Sequence, residues 1–144
     1  DSSIQNILDT MFTLQELESY YKQFFRSMAL ALAQENIYSD SNVIRNVQTY
    51  IDRNYQKDIS VELVASLFRM NRSYLSHLFK KTMGKNFTDY LNEVRIEHAK
   101  ALLKNTDKKM YQIAKAVGYD NVQYFFRVFK KLERQTPEQY RNRE

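Results

Sequence analysis

Residues 13–35 read TLQELESYYKQFFRSMALALAQE, with apolar side chains at Leu14, Leu17, Tyr21, Phe24, Met28 and Ala31. Steps of three and four residues alternate, the spacing of a helix with one apolar seam. Thr13 and Glu16 stand as in a capping box at its start. Ile4, Ile7 and Met11 predict a shorter helix before it. The seam has two readings. It packs on an upstream domain, or it pairs with a second copy of itself as a homodimer; it is short for an independent coiled coil.

The stretch IYSDSN, residues 37–42, is the most polar short segment and marks a boundary between a linker, 1–40, and a domain, 41–144. Ser41 is placed to cap a helix from Asn42 to Asn54, with Val43, Val47, Tyr50 and Ile51 on one face. Ser60 caps a short helix to Phe68, with Val61, Val64, Ala65 and Phe68 inward. A tight turn at Arg69–Asn71 leads to a helix ending near Met83, and Gly84 supplies a left-handed cap. Asn86 caps a long helix, 86–104, with Phe87, Tyr90, Leu91, Val94, Ala101 and Leu102 as its expected core face. After NTDKK a short helix, MYQIAKAV, ends at Gly118, and a further helix runs to about Leu132. Thr136 followed by Pro137 starts a last short helix. Two glycines and one proline are little punctuation for 144 residues, so the expected fold class is all-α.

One pattern is written twice. YLSHLFKK occupies residues 74–81 and YFFRVFKK residues 124–131. Each follows a short helix with a central alanine, Ala65 or Ala114, and a tight turn. A small residue there lets the second helix cross the first closely, as a helix-turn-helix requires. The alanine precedes the tyrosine by nine residues in the first copy and by ten in the second. At about 100° per residue, Leu75, Leu78 and Phe79 form one stripe, and Ser73, His77 and Lys80 lie near the opposite pole. In the second copy Phe125, Val128 and Phe129 oppose Gln123, Arg127 and Lys130. Ser76 and Phe126 flank the pole on one side, Lys81 and Lys131 on the other.

Charge turns this from packing grammar into a functional expectation. Residues 1–40 carry two basic and six acidic side chains, whereas residues 41–144 carry 20 basic and 11 acidic. The net −4 and +9 point to two segments of different use, the basic one facing a polyanion. Arg suits guanine and Gln adenine in the major groove, while lysines suit phosphates. The rival is a helical interaction module that sets its Lys-rich faces on an acidic protein. No cysteine is present, which excludes disulfides and thiolate metal sites and fits a reducing cytoplasm. No apolar run has the ~20 residues of a membrane span. The two histidines, His77 and His98, have no companions at ligand spacing, and no phosphate loop or nucleophile motif occurs. Neither metal, cofactor nor catalysis is expected, and His98 reads as a partly buried helix residue.

Residues 42–141 resemble the AraC/XylS-type DNA-binding domain of bacterial transcription regulators. The marks are ISVELVASLF…SYLSHLFKKTMGKNFTDYLNEVRIEHAKALL and IAKAVGYDNVQYFFRVFKKLERQTPEQYR. The resemblance implies two helix-turn-helix subdomains, about 42–84 and 108–141, joined by the long helix. Their reading helices enter two major-groove segments of duplex DNA about one turn (~34 Å) apart. Carried over by position, base contacts fall on Ser73, Ser76, His77, Gln123 and Arg127. Phosphate contacts are expected at Arg72, Lys80, Lys81, Lys130 and Lys131, with Asn121 and Phe126 at the flank. Unequal reading residues imply an asymmetric target, and a regulator implies RNA polymerase as a further partner. The chain departs from the family where a glycine is common after the second FKK: Arg134 stands there, and a differently shaped helix end is expected. Residues 13–35 resemble the helical linker of two-component response regulators. With an opening Asp rather than Met, this implies a receiver or sensor domain upstream.

Overall fold

The computed structural model of the chain describes residues 14–34 and 39–142. Among them are eight helices and no strand. The expected helix around Ile4–Met11 and the Thr13 cap lie outside the described residues. The chain separates into two compact bodies, Asp1–Asn42 and Val43–Glu144. The first holds α1 (Leu14–Gln34). Its seam residues Leu17, Tyr21, Phe24 and Met28 are exposed, as are Tyr20 (63%), Phe25 (59%) and Leu30. Tyr20 stacks on Phe24 and Tyr21 on Phe25 along the helix.

The chain continues with α2 (Asp40–Asn54), α3 (Val61–Leu67), α4 (Arg72–Met83), α5 (Phe87–Asn105), α6 (Met110–Ala116), α7 (Val122–Glu133) and α8 (Pro137–Arg141). One helix start differs from expectation. Ser39, not Ser41, meets the first turn of α2: the Asn42 amide donates to Ser39 O at 2.9 Å and lies 3.3 Å from its Oγ. Beginning at Asp40 places a carboxylate against the positive end of the helix.

Two separate cores form. The first gathers Ile44, Val47 and Ile51 of α2, Val64 and Ala65 of α3, Leu75, Leu78 and Phe79 of α4, and Phe87 and Leu91 of α5. The second gathers Ile96, Ala99 and Leu103 of α5 with Ile113 and Ala114 of α6, Val117, Tyr119, and Phe125, Val128 and Phe129 of α7. Phe79, Phe125 and Phe129 are fully buried, so truncating any of them to Ala would cost about 3–5 kcal/mol.

The long helix α5 serves both cores, and this corrects its expected core face. Phe87 and Leu91 are buried, Tyr90, Val94 and Leu102 half-buried, and Ala101 is exposed. The C-terminal half buries Ile96, Ala99 and Leu103 instead. At 3.6 residues per turn these three lie about 150° around the axis from Phe87, Leu91 and Val94. A single continuous stripe therefore misses them. Between the two faces sits Arg95, only 9% exposed.

The two short-helix turns share one construction. The Met70 amide donates to Ala65 O and the Tyr119 amide to Ala114 O, each at 2.8 Å. The residue before each donor has positive φ: Arg69 at 53° and Gly118 at 99°. Asn71 then caps α4 at once, whereas Asp120 intervenes before Asn121 caps α7. That inserted residue accounts for the spacing of nine in one copy and ten in the other.

Candidate nucleic-acid interface

Helices α4 and α7 are each fixed at both ends by backbone chemistry. Asn71 Oδ1 accepts from the Ser73 and Tyr74 amides at 2.8 and 3.3 Å, and Asn121 Oδ1 from the Tyr124 amide at 3.0 Å. These caps satisfy donors that the helix leaves open, an effect worth about 1 kcal/mol each. Asn121, expected at the flank of the interface, thus has a structural employment. At the far ends the Gly84 amide donates to Lys80 O at 2.9 Å and the Arg134 amide to Lys130 O at 3.0 Å. Arg134 has φ 60° and ψ 10°, Gly84 φ 71° and ψ 0°. The expectation of a differently shaped end at Arg134 is overturned: the arginine adopts the glycine conformation.

With Leu75, Leu78 and Phe79 buried, the opposite face of α4 presents Ser73, His77 and Lys80, all exposed, with Lys81 exposed beside them. Ser76 is half-buried. On α7, Gln123, Arg127, Lys130 and Lys131 are exposed against buried Phe125, Val128 and Phe129. Phe126 is half-buried, packed on the second core and edge-on to Phe125 with ring centroids 5.9 Å apart. Its place at the flank is a packing position.

Arg72, expected on phosphate, is engaged within the protein: its Nε lies 2.8 Å from Glu62 Oε1 of α3, both side chains exposed. The Glu62 carboxyl is held below its ordinary value, first by its own backbone N–H and then by Arg72 and the Ser60 hydroxyl. An exposed pair of this kind is screened by water and holds weakly, so Arg72 can exchange it for another anion at little cost.

Arg127 is supported in a way the sequence did not announce. Its guanidinium carbon sits 5.5 Å from the centroid of Tyr124, one turn earlier on α7. Asn92 of α5 donates from Nδ2 to the Tyr124 hydroxyl at 3.4 Å and accepts from the Tyr119 hydroxyl at Oδ1, 2.9 Å. A groove of about 240 Å³ lies here between α5 and α7, edged by Asp89, Asn92, Tyr124, Arg127 and Lys131. The Tyr124–Arg127 pair is legible as an i, i+3 neighbour. Asn92, 32 residues away from Tyr124, leaves no local signal. Lys100 bridges Glu97 at 2.9 Å and Glu133 at 3.2 Å, tying α5 to the end of α7. His98 is exposed and stacks face to face on Tyr55 at 4.0 Å, rather than being partly buried.

Among the described residues no group of three or more His, Cys, Asp or Glu converges on a common point. No described helix is long and apolar enough to cross a membrane.

Comparison with known proteins gives consistent matches. Residues 64–143 match the family model described as a helix-turn-helix domain. An uncharacterised HTH-type transcriptional regulator of Escherichia coli, YijO, is 43% identical over 95 residues, which are 66% of this chain and 34% of the relative. The chain thus spans about a third of that relative's length. The C-terminal domain of AraT, a response regulator from Geobacillus stearothermophilus, superposes with TM-score 0.67 at 35% identity, covering 69% of this chain and 83% of that one. The C-terminal domain of the two-component response regulator yesN from Fusobacterium nucleatum gives TM-score 0.65 at 38% identity, covering 71% and 97%.

Proposed function

The chain belongs to the AraC-type helix-turn-helix family, and on that premise we propose that its C-terminal body binds double-stranded DNA sequence-specifically as the output domain of a transcription regulator. The observation that carries this is the pairing of α4 and α7. Each turns a polar, basic face outward from its own core, behind the same Ala-centred turn. The two faces belong to subdomains held on one continuous helix, α5.

Binding, not catalysis, is the mechanism. The lysines at 80, 81, 130 and 131, with Arg72 once released from Glu62, replace condensed cations on phosphates. Ser73, Ser76 and His77 read one major-groove segment; Gln123 and Arg127 read another. The two sets differ, so the site is asymmetric. Similarity to response-regulator C-terminal domains supports control by a receiver or sensor domain N-terminal to this chain, acting in the cytoplasm with RNA polymerase as a further partner. The exposed seam Leu17–Tyr21–Phe24–Met28 supports pairing of α1 with a second copy. Met28→Glu should then lower the mass of the species in solution.

Selection of bound sites from random duplexes, followed by titration at several salt concentrations, tests the reading. With about six phosphates contacted, log K falls against log salt with a slope of about −5. A slope near zero, or equal affinity for selected and random duplexes, overturns it in favour of an acidic protein partner.

A further inference from the structure

The junction between the two subdomains is built around one cation. Arg95 lies midway along α5 and is the buried charged side chain among the described residues. Its Nε donates to Tyr55 O at 2.8 Å and its Nη2 to Lys57 O at 2.9 Å. Both carbonyls belong to the segment that leaves α2, in the first subdomain. On its other side the guanidinium lies 5.2 Å from the ring centroid of Tyr119, in the turn that precedes the second reading helix. Gly118 closes the junction. A Cβ there would stand 2.6 Å from Tyr55 O and 2.9 Å from Arg95 Nε, so only a glycine lets the second turn come this near.

A buried guanidinium is strongly unfavourable unless its donors and charge are met. Here a planar fork meets two carbonyls and an aromatic face at once, which a flexible point charge cannot reproduce. The geometry continues outward from the junction. Arg95 faces Tyr119, the Tyr119 hydroxyl donates to Asn92, Asn92 donates to Tyr124, and Tyr124 carries Arg127 over its ring. The path from the first subdomain to a side chain on the reading face of the second is unbroken.

We propose that Arg95 is the positioning residue that locks the two helix-turn-helix subdomains at one mutual angle, and so fixes the spacing between DNA segments that the chain accepts. The helix α5 by itself sets a distance along its axis. It does not stop the second subdomain from rocking against the first, because relative motion is the default across a small junction. Arg95 supplies that stop. The inference rests on the two-segment reading for its DNA consequence, but not for its mechanical content.

The test separates the two. The chain has no cysteine, so Thr82→Cys and Lys115→Cys, at exposed positions in the first and second subdomains, take spin labels cleanly. The interspin distance distribution of the otherwise wild-type chain should be narrow. Arg95→Met, which keeps the apolar stem and removes the fork, should about double its width. Arg95→Lys reaches one carbonyl at a time; it should give an intermediate width and decides the matter if the Met variant does not fold. In parallel, selected duplexes with one base pair added or removed between segments should bind wild type at least about tenfold more weakly. Arg95→Met should flatten that penalty to under about threefold, at the expense of affinity for the parent site. Unchanged width together with an unchanged spacing penalty overturns the proposal. A wild-type chain indifferent to spacing overturns the two-segment reading, and the label distances still decide whether Arg95 is the lock.

Discussion

Arg134 ends α7 with the same left-handed backbone that Gly84 gives α4, φ 60° against 71°. Glycine adopts that conformation freely; an L side chain crowds its own carbonyl there. Arg134→Gly should therefore stabilise the domain by about 0.5–1 kcal/mol, net of the entropy glycine adds to the unfolded chain. Arg69→Gly, at φ 53°, should act in the same direction. The denaturant midpoint reports both, and a lowered midpoint would show that the Arg134 stem packs usefully where it lies.

The two glycines should respond differently to alanine. Both have positive φ, but a Cβ at Gly84 meets nothing within 4 Å, whereas at Gly118 it meets backbone. Gly84→Ala should cost about 1 kcal/mol of backbone strain. Gly118→Ala should cost clearly more, above about 2 kcal/mol, because Tyr55 O and Arg95 must also shift. Equal losses in thermal melting would contradict the close approach.

Arg127 and Lys131 should separate specificity from affinity. Arg127→Ala is expected to lose about 1–3 kcal/mol concentrated at one base-pair position. Lys131→Ala should weaken binding to all duplexes alike and reduce the salt slope by about 1. Comparing selected and scrambled duplexes reads both. A sequence-blind loss for Arg127→Ala would remove it from the base-contacting set.

Tyr119 makes the fold sensitive to alkali. Burial raises its phenol above the ordinary value, against the opposing charge of Arg95. In the unfolded chain it titrates near pH 10. The native state holds the proton longer, so the stabilisation is complete below about pH 10 and is lost as pH rises from there toward the folded value. Tyr119→Phe should lose about 1 kcal/mol at neutral pH, from the bond to Asn92. It should also fall less steeply above pH 10. Tyr90, raised chiefly by burial, adds to the same limb and leaves part of the slope. Parallel alkaline limbs for both proteins would assign the effect elsewhere.

Much of this protein was written in local pattern. Period and punctuation located the helices, because capping residues and 3.6-residue spacing act within one turn. Ser60, Asn86 and Thr136 cap where the sequence placed them. The two octapeptides divided into buried and exposed faces as a helical wheel dictates. Ser39 displaced Ser41 because a helix start is chosen among adjacent polar residues by small differences.

What only the tertiary structure decided involves residues far apart in the chain. The sequence could not show that α5 turns different faces to its two ends, since each face is defined by a partner packed against it. Nor could it show Arg95, which reads as one more charge on a helix until Tyr55, Lys57 and Tyr119 converge on it. Local chemistry set the elements and the side chains that α4 and α7 expose. The angle at which the two helices are offered depends on a buried cation held by backbone carbonyls, and such convergence exists only once the chain has folded.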